Sequence, residues 1–383
     1  MLHRQPNRTM QRNRASLIVL IVLAFLLMVG AGILVSQLPE DEAWQLASQT
    51  GQETSNLLTG FDCDAAEAQT LYPYQDSVIR LTPDRVTCLD ILGNERFVVD
   101  IDFNAPYAVQ NGPWLLVADR EGTGYAMITS DGEVYHGRLS GNIGGAAVSK
   151  DGMAALIQDR QDSSGIVTIL EAKTGRHLFD CHFTQSGYVL SVQFNPDGES
   201  FDVNLVNTNG SSLYPILKRY SIDGTQLGQL QPDLSDLYPL LAHDLQGNPI
   251  LGGAAILTAF TYGAEEPMWQ RTYAMIHALS VCDNGLLVLA GERLNGPVNL
   301  FLIEKNGQEK NLFEIGETAI GPALSGTLVA VASGSRILVI NSKNGRLIQE
   351  ENMPADIVRF DFSGNSLIIV TSNGVSRLPI VES

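Results

Sequence analysis

The chain has 383 residues, with 24 Lys and Arg against 42 Asp and Glu, a formal net charge of −18. Setting aside four arginines at the N-terminal tip leaves 20 basic and 42 acidic residues, a net charge of −22. A field of that sign repels nucleic acid and anionic lipid headgroups, and is compatible with basic partners, cations or plain solubility.

Residues 1–16 contain Arg4, Arg8, Arg12 and Arg14 and no acidic residue. From Leu17 to Val35 there is no charge at all. At 1.5 Å per residue this run spans about 28 Å, close to the hydrocarbon thickness of a bilayer. Glu40, Asp41 and Glu42 follow. The asymmetry predicts a basic cytoplasmic tail over 1–16 and a single transmembrane helix over 17–38, with everything beyond it extracytoplasmic. A cleavable signal peptide would have a shorter apolar core and a small-x-small site, which Ser36–Asp41 does not supply. Residues 39–56 are polar, lack an apolar period and read as a stalk.

From residue 57 a turn signal returns eight times. It appears at Gln75-Asp76-Ser77, Asn111-Gly112, Asp151-Gly152, Asp197-Gly198, Gln246-Gly247, Asn284-Gly285, Ser325-Gly326 and Ser363-Gly364. The steps are 36, 40, 46, 49, 38, 41 and 38 residues. A period near 40 with hairpin turns is that of a propeller blade of four strands, a to d from the axis outward. A second series falls between the first, at Leu92-Gly93-Asn94, Asp131-Gly132, Thr174-Gly175, Asp223-Gly224, Asn306-Gly307 and Asn344-Gly345. Asp-Gly and Asn-Gly tolerate positive φ in tight hairpins, so the first series marks a–b turns and the second c–d turns.

These marks predict blades at roughly 66–103, 104–141, 142–183, 184–230, 231–271, 272–315, 316–352 and 353–383. The last has only three strands, and the segment from about Leu57 to Asp64 is the natural donor of the fourth. The expected fold is therefore an all-β eight-bladed β-propeller over 57–383. Seven blades follow if the first and last repeats share one. Alternation in Tyr188–Phe194 puts Tyr188, Leu190, Val192 and Phe194 on one face; in Ile357–Phe362 it does the same for Val358, Phe360 and Phe362. The small-residue runs Gly144–Ala147 and Gly252–Ala255 suit the crowded axis. Cys181 and Cys282 fall in non-adjacent blades, whereas Cys63 and Cys88 can approach each other at the ring closure, so a disulfide between them stays open.

The phrases Leu170–Phe179 (LEAKTGRHLF) and Ile340–Gln349 (INSKNGRLIQ) resemble the repeat of quinoprotein-type propellers, although the tryptophan that closes that motif is absent. The whole plan resembles an uncharacterised family of single-pass membrane proteins of Gram-positive bacteria with quinoprotein-like or WD40-like propeller ectodomains. The resemblance implies the fold and the topology and carries no assigned activity.

Signatures of catalysis are few. GxSxG, HExxH and a GK dipeptide do not occur, and quinone chemistry would want adjacent cysteines and more tryptophan. His177, Cys181 and His182 are the tightest metal-like cluster, but Cys181 and His182 point to opposite faces of a strand. The carboxylate pairs Asp62/Asp64, Asp100/Asp102, Asp159/Asp162 and Asp233/Asp236 match no calcium loop. No catalytic residue, cofactor or metal ligand is therefore assigned. Blade 5 departs from the repeat, with Gly263-Ala264-Glu265-Glu266-Pro267 as its c–d turn. Phe260, Tyr262, Trp269 and Tyr273 bracket that turn and are the candidate partner contact, because aromatics are enriched at interface hot spots; packing between blades 5 and 6 is the alternative. The expected function is a membrane-anchored, non-catalytic binding or scaffolding module in the cell envelope, with an envelope protein or cell-wall glycan as partner. The alternative is a carbohydrate-active hydrolase or lyase using carboxylates at the propeller mouth.

Overall fold

The computed structural model describes residues 57–381 apart from 161–162, 185–186, 209–212, 235–236, 265 and 294–295. The expected tail, membrane span and stalk lie outside the described residues. Within the described residues no helix is long and apolar enough to cross a membrane.

Eight four-stranded antiparallel sheets follow one another along the chain. Blade 1 holds strands Leu71–Tyr74, Ser77–Leu81, Arg85–Leu89 and Glu95–Asp100. Blades 2 to 7 cover 106–138, 142–182, 188–230, 240–272, 275–316 and 320–352. Blade 8 supplies Ile357–Ser363, Ser366–Thr371 and Gly374–Pro379, and its outer strand is Leu58–Asp62 from the other end of the unit. Leu58 pairs with Arg377 and Asp62 with Gly374, so the ring closes by a clasp and the count is eight, not seven. The clasp leads through a single four-residue helix, Ala65–Ala68, which Asp64 caps by accepting from the backbone amides of Ala66 and Glu67.

Several hairpins of both turn series are closed locally by their own side chains. In blade 1 the Asp90 carboxylate accepts from the amides of Leu92 and Asn94 at 2.8 and 2.9 Å. Asp244 does the same for Gln246 and Asn248 in the a–b turn of blade 5. Such Asx turns replace backbone partners that a two-residue loop cannot provide.

Period-two reading of the inner strands is corrected in two places. In Tyr188–Phe194 the pairing jumps from Val189↔Leu205 to Ser191↔Asn204, leaving Leu190 as an extra residue. Val189 then joins Val192 and Phe194 in the core, while Tyr188 is exposed. In Ile357–Ser363 the register slips between Ile357 and Arg359, so Ile357 and not Val358 joins Phe360 and Phe362. The inner strands of blades 3, 6 and 7 carry register shifts at the same stage. A bulge adds one residue and strengthens the local twist, and it moves everything beyond it to the other face. The Gly144–Ala147 run does lie on an inner strand, Asn142–Val148, but Gly252–Ala255 ends strand Pro249–Gly252 and forms the b–c turn of blade 5.

Apolar burial is organised by seams. Each of the eight clusters of buried hydrophobic residues joins two neighbouring blades. The seam of blades 3 and 4 is the richest, with Phe183, Phe194, Phe201 and Tyr220 among its members. The seam of blades 4 and 5 is the poorest described, holding only Leu217, Leu230, Tyr238, Leu251 and Phe260. At about 1.5–3 kcal/mol per fully buried large apolar side chain, this seam contributes the least hydrophobic stabilisation of the eight. All four cysteines are free thiols, with Cys63 and Cys88 packed in different seams.

Candidate functional site: the sector of blades 4 and 5

What the seam of blades 4 and 5 lacks in hydrophobic residues it holds in charge. Strand Ser200–Asn207 is buried along its whole length, yet it carries Asp202 and Asn204. Asp202, with a fully buried side chain, accepts from Arg219 Nε and Nη2, both at 2.7 Å, in the bidentate geometry that suits guanidinium and carboxylate. His243 Nε2, on the inner strand of blade 5, donates to the same carboxylate at 2.8 Å. Arg219 also donates to the Gly247 carbonyl at 2.7 Å and stacks over the Tyr262 ring, 3.7 Å from its centroid. One carboxylate thus ties two strands of blade 4 to the inner strand of blade 5, and its arginine reaches two turns of blade 5. The network is incompletely satisfied: His243 Nδ1, Asn204 Oδ1 and both side-chain polar atoms of Asn195 have no hydrogen-bond partner among the described residues.

Blade 5 is sandwiched between two neighbours, and this divides the predicted aromatic group between two seams. Phe260 is fully buried in the blade 4–5 core. Tyr262 faces blade 4, its hydroxyl against Gly228, where a Cβ would come within 2.9 Å. Burial, reinforced by the Asp202 charge, pushes its phenol up to about 12. Trp269 and Tyr273 turn instead to blade 6. Trp269 covers Gly307 in the c–d turn, whose φ of +83° and 2.5 Å approach leave no room for a side chain. The Tyr273 ring lies tilted at 41° to Phe301, with centroids 5.4 Å apart, and its hydroxyl donates to Glu309 at 2.5 Å. The four therefore do not assemble into one exposed patch. Only Tyr262 and Trp269 keep partial exposure, while Phe260 and Tyr273 are core.

Other candidates resolve into local roles. Asp64 is a helix cap, and Asp102 reaches Arg138 at 3.3 Å on the surface. Asp162, Asp236 and Glu265 lie outside the described residues. His136 and His177 pair with Glu133 and Asp180 along their own strands. His182 is exposed and Cys181 buried, and no group of three His, Cys, Asp or Glu fit to hold a metal occurs among the described residues. At the axis, a cavity of about 220 Å³ is lined by Tyr72, Gln110, Gly321, Arg359 and Asp361. Arg359 stacks on Tyr72 and donates to the Gln69 carbonyl, while burial raises the Asp361 carboxyl above the usual range. Asp361 is the one carboxylate carried by the eight inner strands.

Residues Asp202, Arg219 and His243 were missed by motif reading because they lie 17 and 41 positions apart from Asp202 on different strands. The available signal was Asp202 and Asn204, polar residues two apart within the otherwise strand-like run SFDVNLVN.

Comparison with known proteins agrees with the architecture. Residues 52–232, a little under half of the chain, match the model of a family of unknown function (DUF5711). No curated protein matches the chain. Among solved structures, BamB from Moraxella catarrhalis is 14% identical, with 84% of this chain and 98% of that chain covered and a TM-score of 0.53. Sqt1 from Saccharomyces cerevisiae is 11% identical over 86% of this chain and 100% of that chain, with a TM-score of 0.60. At such identities the likeness establishes the fold alone. The chain is an eight-bladed β-propeller that resembles, over residues 52–232, a family without an assigned function.

Proposed function

We propose that the chain is a membrane-anchored propeller facing outward from the cell, acting as a non-catalytic binding or scaffolding module of the envelope. The observation that carries the binding role is the distribution of exposed hydrophobic surface. Of thirteen exposed large hydrophobic residues described, eight lie in or between blades 4 and 5: Tyr188, Leu213, Ile222, Leu227, Leu237, Leu240, Leu245 and Met268. That concentration marks a sector of the ring, as expected of a protein-contacting surface. The anchor rests on the uncharged run from Leu17 to Val35 and the arginines before it.

The test is protease shaving of intact cells combined with in-cell crosslinking of the full-length chain and mass spectrometry. The reading expects the propeller to be digested from outside, the N-terminal tail to be protected, and one envelope protein to be crosslinked reproducibly. A propeller protected in intact cells but cleaved after lysis contradicts the topology. Turnover of a cell-wall glycan by the purified chain contradicts the non-catalytic role.

A further inference from the structure

The inner strands of the eight blades carry one arginine, no lysine and one carboxylate between them, and the two charges stand two residues apart on one strand. They are Arg359 and Asp361 of Ile357–Ser363. Phe360 and Phe362 pack into the core between blades 7 and 8, so alternation along the strand turns Arg359 and Asp361 away from that core. Both line the axial cavity of about 220 Å³. Its other walls are uncharged, with Tyr72 from blade 1, Ala108 and Gln110 from blade 2, and Ile320 from blade 7.

The two charges do not pair with each other. Arg359 lies over the Tyr72 ring, 4.1 Å from its centroid, and its Nη1 donates to the Gln69 carbonyl at 2.9 Å. Its Nη2 reaches only the Tyr72 hydroxyl, at 3.5 Å, and its Nε has no partner among the described residues. Every acceptor it meets is neutral. Asp361 Oδ1 accepts from the amide of Phe362 at 2.8 Å, while Oδ2 has neither a donor nor a cation beside it among the described residues. Burial raises the Asp361 carboxyl, a shift that an adjacent cation would offset. Charges withdrawn from water are ordinarily paired, so a cavity holding one of each sign, both unpaired, is complementary to a ligand carrying both.

Geometry limits the size of that ligand. At about 30 Å³ per water in the liquid, the cavity corresponds to about seven waters, below the roughly 300–1,000 Å³ of pockets for drug-sized molecules. Residues two apart on a strand are about 6.6 Å apart along it, so the ligand's two charges need only a few bonds between them. The Nε–Nη2 edge left open on Arg359 is the fork that takes a carboxylate bidentately, as Arg219 takes Asp202 in the blade 4–5 seam. We propose that the axial cavity binds a compact zwitterion, a free amino acid whose carboxylate meets Arg359 and whose ammonium meets Asp361, with its short apolar chain against Ala108 and Ile320. The site is separate from the exposed apolar surface of blades 4 and 5 and stands whether or not that surface docks a partner.

The test is isothermal titration calorimetry of the purified full-length chain with glycine, β-alanine, 4-aminobutyrate and 5-aminopentanoate. Butylamine, butyrate and butyramide supply the cation alone, the anion alone and neither. At least one zwitterion is expected to bind, tenfold or more tightly than each of the three analogues. Asp361→Asn should weaken that zwitterion at least tenfold without lowering the urea midpoint at pH 7, which separates lost binding from lost folding. The control Asp356→Asn makes the same change in charge at an exposed position of blade 8 and should leave binding within twofold. Binding by none of the four zwitterions, equal binding of any analogue, or an affinity unchanged in Asp361→Asn overturns the proposal.

Discussion

Replacing Asp202 with alanine removes the carboxylate that joins Arg219 and His243 across the blade 4–5 seam. Two arginine nitrogens and one histidine nitrogen lose their acceptor, at 2.7, 2.7 and 2.8 Å. The Arg219 side chain is only 13% exposed, so its charge cannot be recovered by water without opening the seam. Deleting one partner of a buried ion pair costs about 3–5 kcal/mol. Because Arg219 keeps the Gly247 carbonyl and the Tyr262 ring, the lower end, about 3 kcal/mol, is expected for Asp202→Ala. Asp202→Ala/Arg219→Met removes the charge together with its counter-charge and should recover most of that loss. The assay is urea unfolding followed by tryptophan fluorescence. Trp114 packs against Gly152 across blades 2 and 3, and Trp269 against Gly307 across blades 5 and 6, so single-tryptophan variants report on different seams. A cost below about 1 kcal/mol for Asp202→Ala, or a double variant as unstable as the single one, would refute the view that this network holds the seam.

Further consequences concern the clasp, the axis, one turn and the thiols. A chain starting at Cys63 lacks strand Leu58–Asp62 and leaves Gly374–Pro379 as an open edge; its unfolding midpoint should fall and its light scattering rise relative to a chain starting at Leu57. Burial raises the Asp361 carboxyl, so the folded state binds its proton more tightly than the unfolded chain does. The charged form is therefore penalised at neutral pH and relieved as pH falls through the raised value. Asp361→Asn should raise the urea midpoint at pH 7, with the gain shrinking towards pH 4; a constant gain at both pH values would contradict the assignment. Gly307→Ala forces a side chain onto Trp269 at a positive φ and should cost about 1–3 kcal/mol by the same unfolding assay. Thiol titration should find four reactive groups in denaturant, with Cys88, Cys181 and Cys282 slow to react in the folded chain.

The architecture was legible because turn chemistry is local. Asp90, Asp244 and Asn306 close their hairpins with their own side chains, so each announces itself in sequence. Even the clasp followed from counting, since a three-stranded last repeat must borrow its outer strand. Bulges were not legible. Whether Leu190 or Val189 faces the core depends on one inserted residue that leaves no compositional mark, and the same holds for Val358 and Ile357. The blade 4–5 seam was legible only in part. The departure of its c–d turn from the repeat pointed to the sector, but aromatic residues drew the reading to Trp269 and Tyr273, which serve the next seam. Asp202, Arg219 and His243 meet only through tertiary packing across two blades.

The central claim is that a partner docks in the blade 4–5 sector of an outward-facing ring. Site-specific photo-crosslinkers placed in living cells at Leu213, at Met268, and at the exposed Leu92 on blade 1 test it most directly. The account predicts the same protein adduct from Leu213 and Met268, absent from Leu92. Adducts from Leu92 as strong as those from Leu213, or none from either Leu213 or Met268, would contradict it.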